Sequence, residues 1–191
     1  MTATAWCRGP RGFTLLELLV ATAMAALAAA AFTALLQATL GARHQAADGA
    51  EAVAAVAAAI DQVVRDVRLA GYDPLARGVA AVPAGSATSL VVAADLDGDG
   101  VVDTSSEEQI GYRVSGDTLE RTVGRQTLPL LDELTPGGFQ LQYRDGADLA
   151  LDPTVPGALA AIRTVLVDVS LRATAAHAAV HLHGGGRLLN R

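Results

Sequence analysis

The sequence predicts an α+β protein in which one long N-terminal α-helix packs against a mainly antiparallel β-sheet. Residues 13–70 contain no proline, and their apolar side chains recur at helical spacing. After Pro74 the apolar residues recur instead at every second position, which is the period of a strand. One long helix followed by about six short strands is typical of the α+β class.

The composition excludes several function classes. The chain is 51% hydrophobic, which is too apolar for a disordered tail. It carries 20 acidic residues against 14 basic ones, every basic residue is arginine, and the net charge is −6. This balance lacks the basic patches that nucleic acid requires, so no nucleic-acid partner is predicted. The single cysteine, Cys7, cannot form an internal disulfide.

The first helix begins with an apolar segment, residues 13–36, that contains one charge, Glu17. Such a helix would be about 36 Å long, enough to cross a bilayer core of about 30 Å. Arg8 and Arg11 precede the segment and the next basic residue is Arg43. By the positive-inside rule the N-terminus stays in the cytoplasm and the rest of the chain lies on the outer side of the membrane.

Glu17 separates this segment from two ordinary alternatives. A secretory signal cut near residues 28–31, or an uncut single-span anchor, would also be apolar. Neither explains a carboxylate inside hydrocarbon, which costs on the order of 2–3 kcal/mol and marks a functional residue. We therefore expect Glu17 to have a polar partner within the membrane.

Residues 12–21, which read GFTLLELLVA, resemble the class III signal of type IV pilins and pseudopilins. That signal is a basic leader, a glycine and then Phe-Thr-Leu-x-Glu at the head of a long apolar helix. The resemblance implies a pilin-like fold with four parts. These are a leader (1–12), a transmembrane and assembly half of the helix (13–36), an amphipathic half (37–70) and a globular β-rich periplasmic domain (71–191).

The resemblance also implies a role for three residues. Gly12 would precede the bond cut by a prepilin peptidase, and Phe13 would become the new, N-methylated terminus. Glu17 would neutralise the terminal amine of a neighbouring subunit, and pairing the two charges would offset part of the cost of burying each in lipid. The implied partners are the prepilin peptidase, other pilin or pseudopilin subunits, the pilus assembly platform and the membrane.

The implied function is that of a non-enzymatic minor subunit of a type IV pilus or related pseudopilus. It is first anchored in the bacterial inner membrane with its domain in the periplasm, and then enters the filament. Residues 68–72 (RLAGY) resemble the helix end of PilW-like minor pilins, although Gly71 is also an ordinary helix stop. A minor pseudopilin of type II secretion and a membrane-anchored calcium-binding module that never polymerises are the alternatives.

The amphipathic half of the helix is expected to bury one face. The apolar positions at helical spacing are Val53, Val56, Ile60, Val63, Val64 and Val67. The polar positions assigned to the other face are Glu51, Asp61, Gln62, Arg65 and Asp66. Beyond the helix the strongest strand is predicted at residues 162–171, and a hairpin is predicted around Ser115, Gly116 and Asp117.

An acidic loop is a candidate calcium site. Asp95, Asp97 and Asp99 occupy alternating positions before a glycine, and a carbonyl of Val101 and the carboxylate of Asp103 follow at the next two alternate positions. Oxygen ligands at this spacing can wrap a hard cation such as Ca²⁺ and would give it a structural role.

The acidic loop departs from a complete calcium motif at its end. Ser106 stands where a bidentate glutamate is expected, so Glu107 or Glu108 would have to substitute from a shifted register. The flanking residues are strand-like, which excludes an EF-hand. An acidic surface turn without an ion explains the same residues, because Asp and Gly are favoured in turns.

The remaining motifs favour structural interpretations. His181 and His183 share a strand face but have no evident third ligand, so a polar strand face explains them better than a transition metal. Gly184, Gly185 and Gly186 are expected to form a flexible turn. No nucleophile motif such as G-x-S-x-G occurs, and an enzymatic function is not predicted.

Overall fold

The computed structural model describes residues 12–190, so the predicted leader lies outside the described residues except for Gly12. Helix α1 spans Leu15–Leu69 and helix α2 spans Ala158–Ala161. The strands are β1 (Ala84–Gly85), β2 (Ser89–Ala93), β3 (Gln109–Ser115), β4 (Thr118–Val123), β5 (Gln126–Leu131), β6 (Leu134–Arg144), β7 (Ala150–Leu151), β8 (Thr164–Leu171) and β9 (Val180–Arg187). All of their pairings are antiparallel, which confirms the predicted α+β class.

The strands form two sheets rather than the single one expected. The first sheet has the order β1-β2-β3-β4-β5 and the second has the order β7-β6-β8-β9. Tyr143 on β6 links them, since its buried hydroxyl donates a hydrogen bond of 2.7 Å to the carbonyl of Ser86, which follows β1. The two sheets therefore share one hydrophobic core.

The chain divides into two compact units between Gln45 and Ala46. In the first unit the described residues of α1 are exposed almost throughout. The second unit contains the rest of α1, both sheets and the core. The four parts implied by the pilin resemblance, with boundaries after residues 12, 36 and 70, stay predictions.

Within the second unit α1 buries most of the predicted face. The buried positions that were predicted are Val56, Ile60, Val63, Val64 and Val67. Val53 was assigned to this face wrongly, because it is 44% exposed, whereas Ala52 and Ala59 are buried. Asp66 was also assigned wrongly: it is only 7% exposed and lies on the core side.

Asp66 is buried because three side chains satisfy its carboxylate. The Tyr112 hydroxyl and Arg121 Nε both donate to Oδ2, the latter at 2.9 Å, and Gln62 Nε2 donates to Oδ1 at 3.1 Å. Burial and the Asp66 carboxylate raise the pKa of Tyr112 far above its usual range, so the phenol keeps its proton and remains a donor. Since Tyr112 lies on β3 and Arg121 on β4, these contacts tie α1 to the first sheet.

The alternation of apolar and polar residues predicted the buried face of β8 in the second sheet correctly. On β8 Val165, Val167, Val169 and Leu171 are buried and the residues between them are partly exposed, as the alternation predicted. The predicted hairpin is also present: β3 and β4 pair up to Ser115 and Thr118, with Gly116 at φ 66° in the turn. A positive φ at this position favours glycine.

The triglycine segment is not the flexible turn that was expected. Gly184, Gly185 and Gly186 lie inside β9 and pair with β8. A Cβ at Gly184 would lie 2.3 Å from Ile60 Cγ2, and one at Gly186 would lie 3.3 Å from the carbonyl oxygen of Val64. Gly184 and Gly186 therefore lie where α1 approaches the strand backbone closely, whereas Gly185 faces Leu166 of β8.

Candidate functional site

The start of α1 is closed by a reciprocal pair of side chains. Glu17 N donates to Thr14 Oγ1 at 3.2 Å, while Glu17 Oε2 accepts from Thr14 N at 3.0 Å and from Thr14 Oγ1 at 3.1 Å. This is a capping box, in which the first and fourth residues of Thr-x-x-Glu satisfy each other's backbone N–H groups. Sequence reasoning missed it, although Thr-x-x-Glu before an apolar run is its usual signal.

Gly12 and Phe13 precede this cap in non-helical backbone. Phe13 is 83% exposed, and Gly12 is also exposed, so the bond between them lies in a non-helical, accessible stretch of the described chain. The predicted cleavage at this bond, the methylation of Phe13 and the assembly role of Glu17 remain predictions. The structure places all three residues within one short segment.

Residues beyond the cap form an apolar helical surface that is exposed in the part of the chain that the structure describes. The large exposed side chains are Leu15, Leu16, Leu18, Leu19, Val20, Met24, Leu27, Phe32, Leu35, Leu36 and Leu40. Within residues 12–190, α1 is the one helix that is long and apolar enough to cross a membrane. Since contiguous exposed apolar surface is unstable in water, this part of α1 requires lipid or other protein around it.

The acidic loop follows β2 and brings three of its carboxylates together. One oxygen from each of Asp95, Asp97 and Asp99 lies within 4.8 Å of the other two. Asp95 is fully buried and its two oxygens accept from Gly98 N and Gly100 N at 2.8 and 3.0 Å. The alternating spacing therefore produces a cluster of oxygen atoms of the kind that calcium binds.

The other two predicted calcium ligands are the carboxylate of Asp103 and the carbonyl of Val101. Asp103 is not part of the cluster of three, and its Oδ1 accepts from both the backbone N and Oγ of Ser105 at 2.8 Å. The N–H of Ser105 lowers the pKa of Asp103 below its usual value. Val101 is 65% exposed, and its N–H donates to Asp99 Oδ1 at 2.7 Å. The predicted ligand atom of Val101 is its carbonyl oxygen, which this hydrogen bond does not use.

Glu108 organises the loop from inside. It is only 6% exposed. Its Oε1 accepts from Leu96 N and Asp97 N at 2.7 and 3.1 Å, and its Oε2 accepts from Asp103 N at 2.8 Å. These N–H groups, that of Asp103 first, lower the pKa of Glu108 below its usual value. The residue considered as a shifted calcium ligand thus already binds the loop backbone.

His181 and His183 lie on the partly exposed face of β9. His181 Nε2 is 3.9 Å from Asp168 Oδ1, and the His181 side chain is 63% exposed. Neither histidine belongs to a group of three metal-ligating side chains in the part of the chain that the structure describes. This arrangement agrees with their interpretation as a polar strand face.

Comparison with known families identifies the N-terminal segment. Residues 7–33 match the model of the prokaryotic N-terminal methylation motif. Residues 12–33 of this match contain Gly12, the capping box and the first part of the exposed apolar helix. A search of curated proteins found none that matches the chain.

The chain therefore carries a class III prepilin signal at the head of a long helix, followed by antiparallel sheets. This combination is consistent with a type IV pilin-like protein and indicates a prepilin of the pilin or pseudopilin kind. The signal implies processing by a prepilin peptidase and assembly with other pilins. The long apolar helix that it precedes suggests a membrane anchor.

Proposed function

We propose that this chain is a non-enzymatic minor subunit of a type IV pilus or related pseudopilus. It is made as an inner-membrane prepilin with its domain in the periplasm, is cut after Gly12 and enters the filament through α1. The match to the methylation motif at residues 7–33 carries this proposal. The exposed apolar surface of α1 supports it, because a filament core would cover that surface after the subunit leaves the membrane.

Glu17 has two states in this proposal. Before assembly its carboxylate is satisfied by Thr14 in the capping box. In the filament it pairs with the amine that cleavage creates on a neighbouring Phe13. The neighbour's amine would neutralise the Glu17 charge, which the neutral Thr14 groups do not, and this gain offsets the loss of the hydrogen bonds from Thr14.

The PilW-like subtype rests on residues 68–72. The helix ends at Leu69 and Gly71 follows at φ 75°, so this segment is the C-terminal cap of α1. In a filament this cap would lie where the helix gives way to the globular domain. A type II secretion pseudopilin remains the alternative within the same class.

The first experiment is intact-mass analysis of the full chain produced together with a prepilin peptidase. We expect a product that begins at methylated Phe13. Gly12→Leu should stay uncut, whereas Gly9→Leu, the matched change in the leader, should be cut normally. A product that begins near residue 30 would identify an ordinary secretory signal, and one that keeps Met1 would identify an uncut anchor; either would overturn the proposal.

The second experiment measures incorporation into sheared filaments. Glu17→Gln keeps the shape of the side chain but removes its charge, and we expect at least ~10-fold less incorporation, equivalent to ~1.4 kcal/mol. Asp61→Asn is the matched control, because Asp61 is an exposed acid on the same helix. Equal incorporation of the Glu17 variant and the wild type would refute the assembly role of Glu17, whereas absence of the wild type from the filaments would favour the anchored module that never polymerises.

As a second function we propose that the acidic loop binds Ca²⁺ and that the ion stabilises the loop. The observation in its favour is the approach of the Asp95, Asp97 and Asp99 oxygens within 4.8 Å. An ion would offset the repulsion among these carboxylates. The charge and the number of ligands suggest a Kd of about 10⁻⁴–10⁻³ M, as in extracellular modules.

Calorimetry of the full chain in detergent, after chelator treatment, tests the calcium proposal. We expect Asp97→Asn combined with Asp99→Asn to weaken binding at least ~10-fold, because two charged ligands become neutral. Asp61→Asn is the control, since Asp61 is an exposed acid on α1 that lies outside the cluster. Absence of binding to a folded wild-type chain would refute the proposal.

A further inference from the structure

His177 is held in the loop between β8 and β9, at residues 172–179. Its side chain is 8% exposed. Thr174 fixes the backbone around it, because Thr174 Oγ1 accepts from Ala176 N and His177 N at 3.2 and 3.3 Å and Thr174 N donates to the carbonyl of His177 at 2.9 Å. The imidazole is therefore confined to one position.

Both nitrogens of this imidazole face oxygen atoms. Nδ1 lies 2.8 Å from the carbonyl oxygen of Ala178, and Nε2 lies 3.0 Å from Glu133 Oε2. A carbonyl only accepts, and so does an ionised carboxylate. A neutral imidazole has a single N–H and would leave one lone pair facing an acceptor. Only the doubly protonated ring can donate to both oxygens.

Negative groups surround the ring on the elements packed against it. Asp48 and Glu51 on α1 and Asp132 and Glu133 at the corner between β5 and β6 line, together with His177, a cleft of about 310 Å³. The nearby cation Arg172, at the start of the loop, is already paired with Asp117 at 2.9 Å. The surroundings thus favour the positive form of the ring.

We propose that His177 and Glu133 form a pH-sensitive clasp. When the ring is protonated, the clasp holds the loop 172–179 against the corner between β5 and β6. When the ring loses one proton, its charge pairing with Glu133 is lost and one ring nitrogen faces an oxygen with no proton between them, so the loop is released from that corner. The clasp does not depend on filament assembly, since all of its groups lie in one chain.

The direction of the pH dependence follows from the same contacts. The Ala178 carbonyl and the Glu133 carboxylate raise the pKa of His177 above the usual value of about 6.5. A group whose pKa is raised on folding stabilises the fold fully below its unfolded pKa. That stabilisation is lost as the pH rises through the folded pKa, so the clasp is closed in mild acid and opens toward alkaline pH.

NMR titration of the full chain in detergent micelles tests the clasp. We expect the His177 ring protons to titrate above about pH 6.5. The amide protons of Ala176 and His177, corrected for intrinsic base-catalysed exchange, should lose protection over the same pH range. A wild-type His177 that titrates at or below its usual value, or protection that does not follow its titration, would overturn the proposal.

Two variants separate the clasp from a merely structural contact. Glu133→Gln supplies a side-chain NH₂ that can donate to neutral Nε2, so the contact no longer requires the second ring proton. We expect the pKa of His177 to fall and the loop to stay protected across the titration. His181→Gln is the control, because His181 is a largely exposed histidine that should not affect His177. An unchanged His177 titration in Glu133→Gln would also overturn the proposal.

Discussion

The two parts of α1 differ in where their partners are. Up to Gln45 the helix presents Leu, Phe and Met side chains that are 44–83% exposed. From Ala46 onward it presents mostly Val and Ala, and five of its valines and isoleucines are buried against the sheets. One continuous helix therefore has two different surfaces. The second part packs against the sheets of the same chain, whereas the first part needs lipid or other protein around it.

Because of this difference, substitutions that affect the stability of the globular unit should be distinguishable from substitutions that affect assembly. Substitution of a buried residue in the second part should change the free energy of unfolding of the globular unit, whereas a substitution in the first part should leave it unchanged. Unfolding can be followed by urea titration of the full chain in detergent, using the near-ultraviolet circular dichroism of the buried Tyr112 and Tyr143. Three pairs of substitutions test this difference by that measurement.

Asp66→Ala should destabilise the globular unit by about 3 kcal/mol, because it leaves the Tyr112 hydroxyl and the Arg121 guanidinium partly buried without their acceptor. Asp61→Ala, an exposed aspartate on the same helix, should change the stability by less than about 0.5 kcal/mol. Equal effects of the two substitutions would mean that the buried contacts do not hold α1 to the first sheet.

Gly184→Ala should destabilise by about 1–3 kcal/mol, because the new Cβ would lie 2.3 Å from Ile60 Cγ2 and force α1 and β9 apart. Gly49→Ala is the matched change in the helix, where nothing lies within 4 Å of the new Cβ. It should stabilise by up to about 1 kcal/mol through helix propensity. A neutral Gly184→Ala would show that the helix can shift without cost.

Leu27→Ala should change unfolding by less than about 0.5 kcal/mol, because Leu27 is 72% exposed in the first part of α1. Val63→Ala removes less side-chain volume but should cost about 2 kcal/mol, because Val63 is fully buried. If Leu27→Ala destabilised the globular unit more than Val63→Ala, the division of the helix into two interfaces would be wrong.

The sequence predicted those elements whose signal lies in neighbouring residues. The helix and the alternation on β8 follow from apolar spacing, and the hairpin at Gly116 follows from turn chemistry. Strand β5 was missed because it is a largely exposed edge strand with Pro129 in its middle, which gives no alternation. The last part of β9 was missed because Gly184 and Gly186 reflect contact with a helix that is distant in sequence, and that contact has no local signal.

The candidate sites also include some that sequence spacing could predict and one that it could not. The clustering of Asp95, Asp97 and Asp99 could be predicted, because three alternating acids in a short loop cannot lie far apart. The capping box of Thr14 and Glu17 was also predictable from its spacing. The contact between His177 and Glu133 was not, because 44 positions separate the two residues and only the fold brings them together.

The capping box has a consequence for maturation. Its two members, Thr14 and Glu17, both lie downstream of the bond between Gly12 and Phe13, and its hydrogen bonds use no atom of the leader. A peptidase cutting there would shorten the polypeptide without unwinding the first turn of α1. The newly exposed amine would then be tethered one residue before a helix that is already folded and ready to join a neighbour.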